Sequence, residues 1–323
     1  MLKLKAELRK GFVYLLKKMP WSYQDKVYYF QKFRSIPNIR EPKLFNEKVL
    51  YRKYVTGDHV RYANLSDKLL VRDYIARVIG EEYLIPLIHE TDDPISLLSL
   101  GSLKNTVIKP NHGSGMVEIV LEEPDCIQKQ LLIKRCDEWL HQDFSHHARE
   151  IHYRYIKPRI LVEQYVGDGK FAAVDYKFHM FNKKDGNFEY VLQVIYNRAG
   201  CSALSMNFYV NNLKNCFYKI RDTGFDISGD METLERALTL SKQLAADFDY
   251  VRVDWYIHEG HIYFGELTFT PGAGLVTGLD NGLNQLMGDM WLQDRKSEAL
   301  PGSKEPEDVP LPAVLKKDLK SGK

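Results

Sequence analysis

The sequence predicts an α+β protein, and three observations carry that prediction. Helical periodicity dominates residues 1–75, and from about residue 105 short β-like runs replace it. Few of those runs are separated by a helix of the length that a parallel crossover needs. Hairpins mixed with helices suit antiparallel pairing rather than a doubly wound parallel sheet.

The elements follow in order. Leu4, Leu8, Phe12, Leu15, Leu16 and Met19 share one helical face, with Lys3, Lys5, Arg9, Lys10, Lys17 and Lys18 around it. This basic amphipathic segment suits either packing on the body of the chain or contact with an anionic membrane surface. SYQDKVYYFQKF gives a second helical stretch, and PNIREPKLFNEKVLYRKY leads into a third. LSDKLLVRDYIARVIG reads as one helix, opened by Ser66 or Asp67 and closed by Gly80. Strands are expected at 105–109, 116–121, 159–166, 173–181, 189–196, 250–257 and 261–269. Helices are expected at 126–141 and 230–247. The stretch from about Lys296, rich in Pro, Ser, Lys and Glu, reads as poorly ordered.

Bulk composition removes several function classes. A chain of 323 residues suits about two domains or one two-lobed enzyme. Its 45 basic and 43 acidic residues leave a net charge of +2, which gives no case for a nucleic-acid partner. Four cysteines without a CxxC pair or zinc spacing read as reduced thiols of a cytoplasmic protein. No apolar run approaches 18 residues, so no membrane span is expected. The apolar core near the start, Phe12 to Leu16, is too short and too basic at both flanks for a cleaved signal peptide.

The chemistry-bearing residues fall into an ordered series. VIKPNHGSGMVEIV places Lys109 before a glycine loop that is either a hairpin turn or a backbone cradle for phosphates. It lacks GxGxxG and GK[ST], which excludes the two common nucleotide motifs, and HGSG lacks the GxSxG elbow. Glu163 interrupts an apolar run, and Lys177 sits mid-strand. Arg252 and Asp254 share one strand face, as do Glu266 and Thr268. The short turn HEGH lets Asp254 and Glu266 approach across a hairpin. Two such carboxylates suit Mg²⁺, or else a buried salt bridge with Arg252. The histidines of HQDFSHHARE match no common metal spacing. Arg149, Arg154, Lys157 and Arg159 read as a solvated face, or alternatively as a surface for an acidic glycan.

In their shared order, FNEK, DKLLVRDYI, KPNHGSG, DYKF and GELTFTPGAG resemble the ATP-grasp superfamily. Within it they are similar to the branch typified by teichuronopeptide biosynthesis proteins, over about residues 40–275. The resemblance implies a two-lobed ATP-grasp fold behind a helical N-terminal region at 1–75. One lobe would lie at 76–165 with the phosphate loop and hinge, the other at 166–295 with the metal site, followed by the tail at 296–323. It implies that Lys109 and Lys68 lie near the phosphates of ATP, under a loop of His112, Gly113, Ser114 and Gly115. Adenine would lie against Glu163 and the backbone of Gln164 and Tyr165, and the ribose near Asp168. Lys177 would reach the triphosphate, and Asp254, Glu266 and Thr268 would hold Mg²⁺. Thr268, a shorter neutral ligand, stands where the wider superfamily has asparagine. Arg252 would stabilise the oxyanion of the tetrahedral intermediate.

The implied activity is that of a carboxylate–amine ligase working through an acyl phosphate. For this branch it means joining an amino acid by an amide to a uronic acid of a capsular or cell-wall polysaccharide. The place would be the cytoplasm, with peripheral contact at the inner membrane surface. Two alternatives stand beside it: an ATP-grasp kinase acting on a sugar, and a nucleotide-binding scaffold without turnover.

Overall fold

The structure, a computed structural model, describes residues 11–167, 174–196, 205–221 and 224–293. The expected ribose residue Asp168 and the stretch from 296 lie outside the described residues. Two antiparallel sheets organise the chain. The first has the order β1-β4-β2-β3, from Leu87–Thr91 (β1), Thr106–Pro110 (β2), Glu118–Val120 (β3) and Ile160–Gln164 (β4). The second has the order β10-β9-β5-β6-β7-β8. Its strands are Asp175–Asn182 (β5), Phe188–Tyr196 (β6), Ser205–Val210 (β7), Cys216–Ile220 (β8), Tyr250–His258 (β9) and His261–Thr268 (β10). Every strand pair is antiparallel, as the hairpin-rich sequence leads one to expect.

Ahead of the sheets, residues 11–17 are helical, followed by Trp21–Phe33 (α1), Phe45–Tyr51 (α2), His59–Ser66 (α3) and Val71–Val78 (α4). LSDKLLVRDYIARVIG is therefore not one helix. Ser66 ends α3, and the extended Asp67 accepts hydrogen bonds from Leu69 N (2.8 Å) and Leu70 N (3.3 Å), turning the chain into α4. The longer of the later helices are Cys126–Leu140 (α5), Met231–Ala245 (α6) and Asn281–Met290 (α7). Asp125 and Gln128 form a reciprocal capping box at the start of α5.

Period-two alternation decides what each sheet offers to its neighbours. Ile108, Ile160 and Val162 of the first sheet pack with Leu132, Cys136 and Trp139 of α5. In β5, Tyr176, Phe178 and Met180 pack with Leu234, Ala237 and Leu244 of α6. Asp175, Lys177 and His179 therefore share the opposite face, toward the first sheet.

The FNEK tetrapeptide is an anchor for the N-terminal helices. Phe45 is fully buried among Phe181, Tyr250 and Trp291. Asn46 bonds both ways to the backbone of Val276, at 3.1 and 3.2 Å. Glu47 accepts from Asn38 N, Lys43 N and Leu44 N, and Lys48 donates to the carbonyls of Gly288 and Trp291 at 2.7 Å. Downstream, buried Lys53 pairs with Asp25 of α1 and donates to the carbonyls of Ala148 (3.1 Å) and Ala273 (3.2 Å). The helical region thus buttresses several distant segments of the chain.

The basic stretch after α5 is not a solvated face throughout. Arg154 is buried and stacks on Trp21, 4.3 Å from the ring centroid. Arg149 pairs with Asp25 and stacks on Tyr28. Aromatic rings on α1 supply these partners, which the local sequence does not show. Lys157 and Arg159 pair with Asp92 and Glu90 nearer the surface. Among the described residues no helix is long and apolar enough to cross a membrane.

Candidate active site

A cavity of about 640 Å³ opens between the two sheets, within the range of small-molecule sites. Val107, Lys109 and Glu163 line it from the first sheet, and Gly113 to Val117 border it. Lys177, Gln193, Arg252, Asp254 and Glu266 line it from the second.

On the first wall, the glycine segment is the connection between β2 and β3, so the hairpin and the cleft-lining loop are one feature. Gly115 takes φ +79°, a left-handed conformation natural to glycine. Asn111 braces the base of the loop. Its Nδ2 donates to Asp67 Oδ2 and Lys157 O, both at 2.9 Å, and its Oδ1 accepts from Arg159 N at 2.8 Å. Lys109 Nζ lies 2.6 Å from Glu163 Oε2, and Arg72 lies 3.5 Å from Oε1. Lys68 donates to the carbonyl of Gly113. Burial and the nearby Lys109 hold the Lys68 ammonium below its ordinary range, against the pull of Glu266 and Glu163.

The second wall is a chain of alternating charges. Asp254 faces Glu266 across the β9–β10 hairpin and Lys177 across β5–β9. Arg252 Nε lies 2.6 Å from Asp254 Oδ1, and its Nη2 lies 2.7 Å from Oδ2 and 2.8 Å from Glu266 Oε1. Lys177 completes an ion pair with Asp254. Thr268 donates to Glu266 Oε1 at 3.1 Å. Burial alone would raise the Asp254 carboxyl; Arg252 and Lys177 outweigh it and hold the group below the usual range.

Beyond β10 the chain makes the tight turn Pro271–Gly274 against the cavity. Gly272, Ala273 and Gly274 all have φ between +54° and +78°. A left-handed alanine costs about 1–2 kcal/mol, and surrounding contacts fix it. Lys53 holds the Ala273 carbonyl, and Asn46 holds Val276. Thr270, one residue before the turn, donates to buried Glu150, whose carboxyl burial pushes up to about 7.

These donors suit a magnesium nucleotide. Two hard carboxylates meet in register, and Glu266 is one-third exposed, with Arg252 and Thr268 both on Oε1. Lys68 and Lys109 on the opposite wall offer positive charge, and the weakened ammonium of Lys68 is one that an anion would restore. Among the described residues no group of three or more His, Cys, Asp or Glu could hold a metal by itself. Mg²⁺ commonly takes one or two carboxylates and completes its shell from phosphates and water.

Most residues expected from the sequence come together here. His112 departs from its expected place. It is buried beneath the loop, with Nε2 3.2 Å from Gln142 O and Nδ1 3.3 Å from Asn111 Oδ1, and burial depresses its pKa. At the hinge, the N–H groups of Gln164 and Tyr165 already donate to the carbonyls of Pro86 and Asn105, and Glu163 is engaged by Lys109 and Arg72. Sequence reasoning missed Asn111, His179 and Gln193. The last two were within reach, since His179 lies two residues from Lys177 on the same strand face.

A family model described as TupA-like ATP-grasp matches residues 47–292. The chain belongs to the TupA-like ATP-grasp family. This places it in the ATP-grasp superfamily, whose members use ATP and Mg²⁺. Among solved structures it is similar to a D-alanine–D-alanine ligase from Helicobacter pylori, at 18% identity and a TM-score of 0.44, covering 71% of this chain and 61% of that one. It is also similar to an L-amino acid ligase from Bacillus licheniformis, at 12% identity and a TM-score of 0.43, covering 78% and 51%. The N5-carboxyaminoimidazole synthetase of Staphylococcus aureus is similar at 12% identity and a TM-score of 0.35, covering 67% and 52%. The chain thus spans about half to three-fifths of the length of these enzymes. No curated protein matches it.

Proposed function

We propose that this TupA-like protein is an ATP-dependent ligase that joins an amine to a carboxylate through an acyl phosphate. The observation that carries the reading is the Lys177–Asp254–Arg252–Glu266 chain facing Lys68 and Lys109 across one cavity. Phosphoryl transfer is mostly positioning and charge neutralisation, and fixed charges on both walls of the cavity suit that work. Lys109 and Lys68 bind the triphosphate under the loop Gly113 to Gly115. Asp254 and Glu266, with Thr268 beside them, hold Mg²⁺, which would neutralise charge on the phosphates. Lys177 contacts the transferring phosphoryl. Arg252, held by two carboxylates, stabilises oxyanion charge as the amine adds to the acyl phosphate. Adenine lies at Gln164 and Tyr165.

The substrates we propose are an amino acid and a uronic acid of a capsular or cell-wall polysaccharide, a reading supported by the family branch. Peripheral attachment to the cytoplasmic membrane face belongs to the same proposal. Leu16 is buried on the body, while Phe12, Tyr14, Leu15 and Met19 are exposed beside Lys17 and Lys18. Leu4 and Leu8 lie outside the described residues; of the rest of the apolar face expected from the sequence, Leu16 is buried and Phe12, Leu15 and Met19 are exposed.

The deciding experiment incubates the protein with Mg²⁺, ATP and D-glucuronate and screens amino acids for ADP release. Release that requires both carboxylate and amine supports the ligase. Release with sugar alone and a phosphorylated sugar product would make it a kinase, and no release with intact ATP binding would leave a scaffold.

A further inference from the structure

The six-stranded sheet offers the cleft one more polar group, away from the charge chain. Gln193 on β6 lines the cavity and is 8% exposed. Its Oε1 lies 3.3 Å from His179 Nε2, and His179 Nδ1 lies 2.8 Å from the Tyr250 hydroxyl. Burial, with Arg252 nearby, depresses the His179 pKa to about 3, so the ring is neutral and carries one proton. Nε2 must then donate to Gln193, and Nδ1 must accept from Tyr250. This relay fixes the amide so that its oxygen is satisfied and its NH₂ group is presented. Among the described residues the partner of that NH₂ is Met206 Sδ at 3.3 Å, and a thioether is a weak acceptor. A nine-tenths buried amide donor with a sulfur partner is under-satisfied. Ile195, Val276 and Leu279 supply apolar wall to the same cavity, and Arg252 stands opposite His179 in the β5–β9 register.

We propose that Gln193 is a specificity residue for the carboxylate substrate, its Nε2 donating to a hydroxyl or ring oxygen on the body of that substrate. This rests on the ligase reading. The class of ligand is a polyhydroxylated carboxylate: the carboxylate lies toward Arg252, the oxygenated edge toward Gln193 and the carbon skeleton against Ile195, Val276 and Leu279. A carboxylate of similar size without hydroxyls leaves the amide without a better acceptor than sulfur. Sites built to hydrogen-bond a substrate group discriminate against analogues that lack it.

Calorimetry on the full chain with Mg²⁺ and a non-hydrolysable ATP analogue tests this, with D-glucuronate and cyclohexanecarboxylate as probes. Wild type is expected to bind glucuronate about tenfold more tightly, on the order of one net hydrogen bond. In Gln193→Leu the preference collapses toward unity, while affinity for the nucleotide analogue is unchanged, which also reports an intact fold. Gln193→Glu, which loses the donor but keeps the shape, is expected to lose glucuronate binding as well. A wild-type preference that survives in Gln193→Leu overturns the proposal, as does the lack of any preference or of binding by wild type. Failure of the ligase reading is separate: it shows as ADP release that ignores the amine, whatever Gln193 does.

Discussion

Lys53 and Asp25 meet at 2.5 Å with side chains 1% and 0% exposed, and they join α1 to the turn beside the cleft. Asp25 also pairs with Arg149 and accepts from the Tyr54 hydroxyl. Removing one partner of a buried pair costs about 3–5 kcal/mol. Asp25→Asn should reach that range, because it strips the counter-charge from two cations. Lys53→Met should cost less, since the carboxylate keeps Arg149 and Tyr54. Urea denaturation of both variants measures the order; equal losses would contradict it.

Lys109→Ala should weaken ATP binding at least about tenfold, the equivalent of 1.4 kcal/mol. The fold should survive, because Glu163 keeps Arg72 at 3.5 Å. Isothermal titration gives the affinity and circular dichroism the fold. Unchanged affinity would remove Lys109 from the triphosphate site.

Asp254→Asn and Glu266→Gln should each lower Mg²⁺-dependent turnover by about 10²–10³, with a smaller loss in nucleotide affinity. Thr268→Asn should be tolerated, since its partner Glu266 Oε1 can accept from an amide as from a hydroxyl. Steady-state ADP release decides, and near-wild-type activity in either carboxylate variant would move the metal site elsewhere.

Stability should carry a pH signature from Glu150. Its folded pKa, about 7, lies above the ordinary 4.5, so the folded state binds the extra proton between those values. That contribution is complete below about pH 4.5 and disappears as pH rises through 7, amounting to at most about 3 kcal/mol. Glu150→Gln should flatten this decline, and denaturation midpoints from pH 5 to 8 would show it. Asp254 acts oppositely: its depressed pKa stabilises the fold above the ordinary carboxylate range, an effect lost in acid.

Vesicles of phosphatidylglycerol should retain the protein at low salt and release it as salt rises, because basic side chains near an anionic surface each contribute about 1 kcal/mol before screening. Replacing Phe12 and Leu15 by Ser should abolish flotation while leaving the melting temperature unchanged, since both side chains are exposed. Retention of the double variant would assign the apolar face to another partner.

Much of this architecture was legible because period-two alternation survives in the site strands. Arg252, Asp254, Glu266 and Thr268 could be paired on paper, and the register agrees. Three strands were not legible. β1 is half-exposed and bulged, β8 is an alternating edge, and β7 buries the polar Asn207 against the Tyr196 hydroxyl. None shows the apolar signature of a core strand. The break at Ser66 was hidden because Asp67 caps its own turn with polar contacts that periodicity does not register. Arg149, Arg154 and Lys53 resemble surface cations until partners more than 25 residues away are known.

The stitching of α2 to α7 has a use in protein engineering. Phe45 and Trp291 pack as tilted rings with centroids 5.8 Å apart, so two points 246 residues distant in sequence are neighbours in space. A body whose early and late helices adjoin is a natural host for circular permutation. New ends could be opened in the Asp185–Gly186 hairpin between β5 and β6, with a polar linker joining the chain beyond α7 to the chain ahead of α1. Such a permutant would free the cleft from its dependence on chain order while retaining every strand pairing that shapes it.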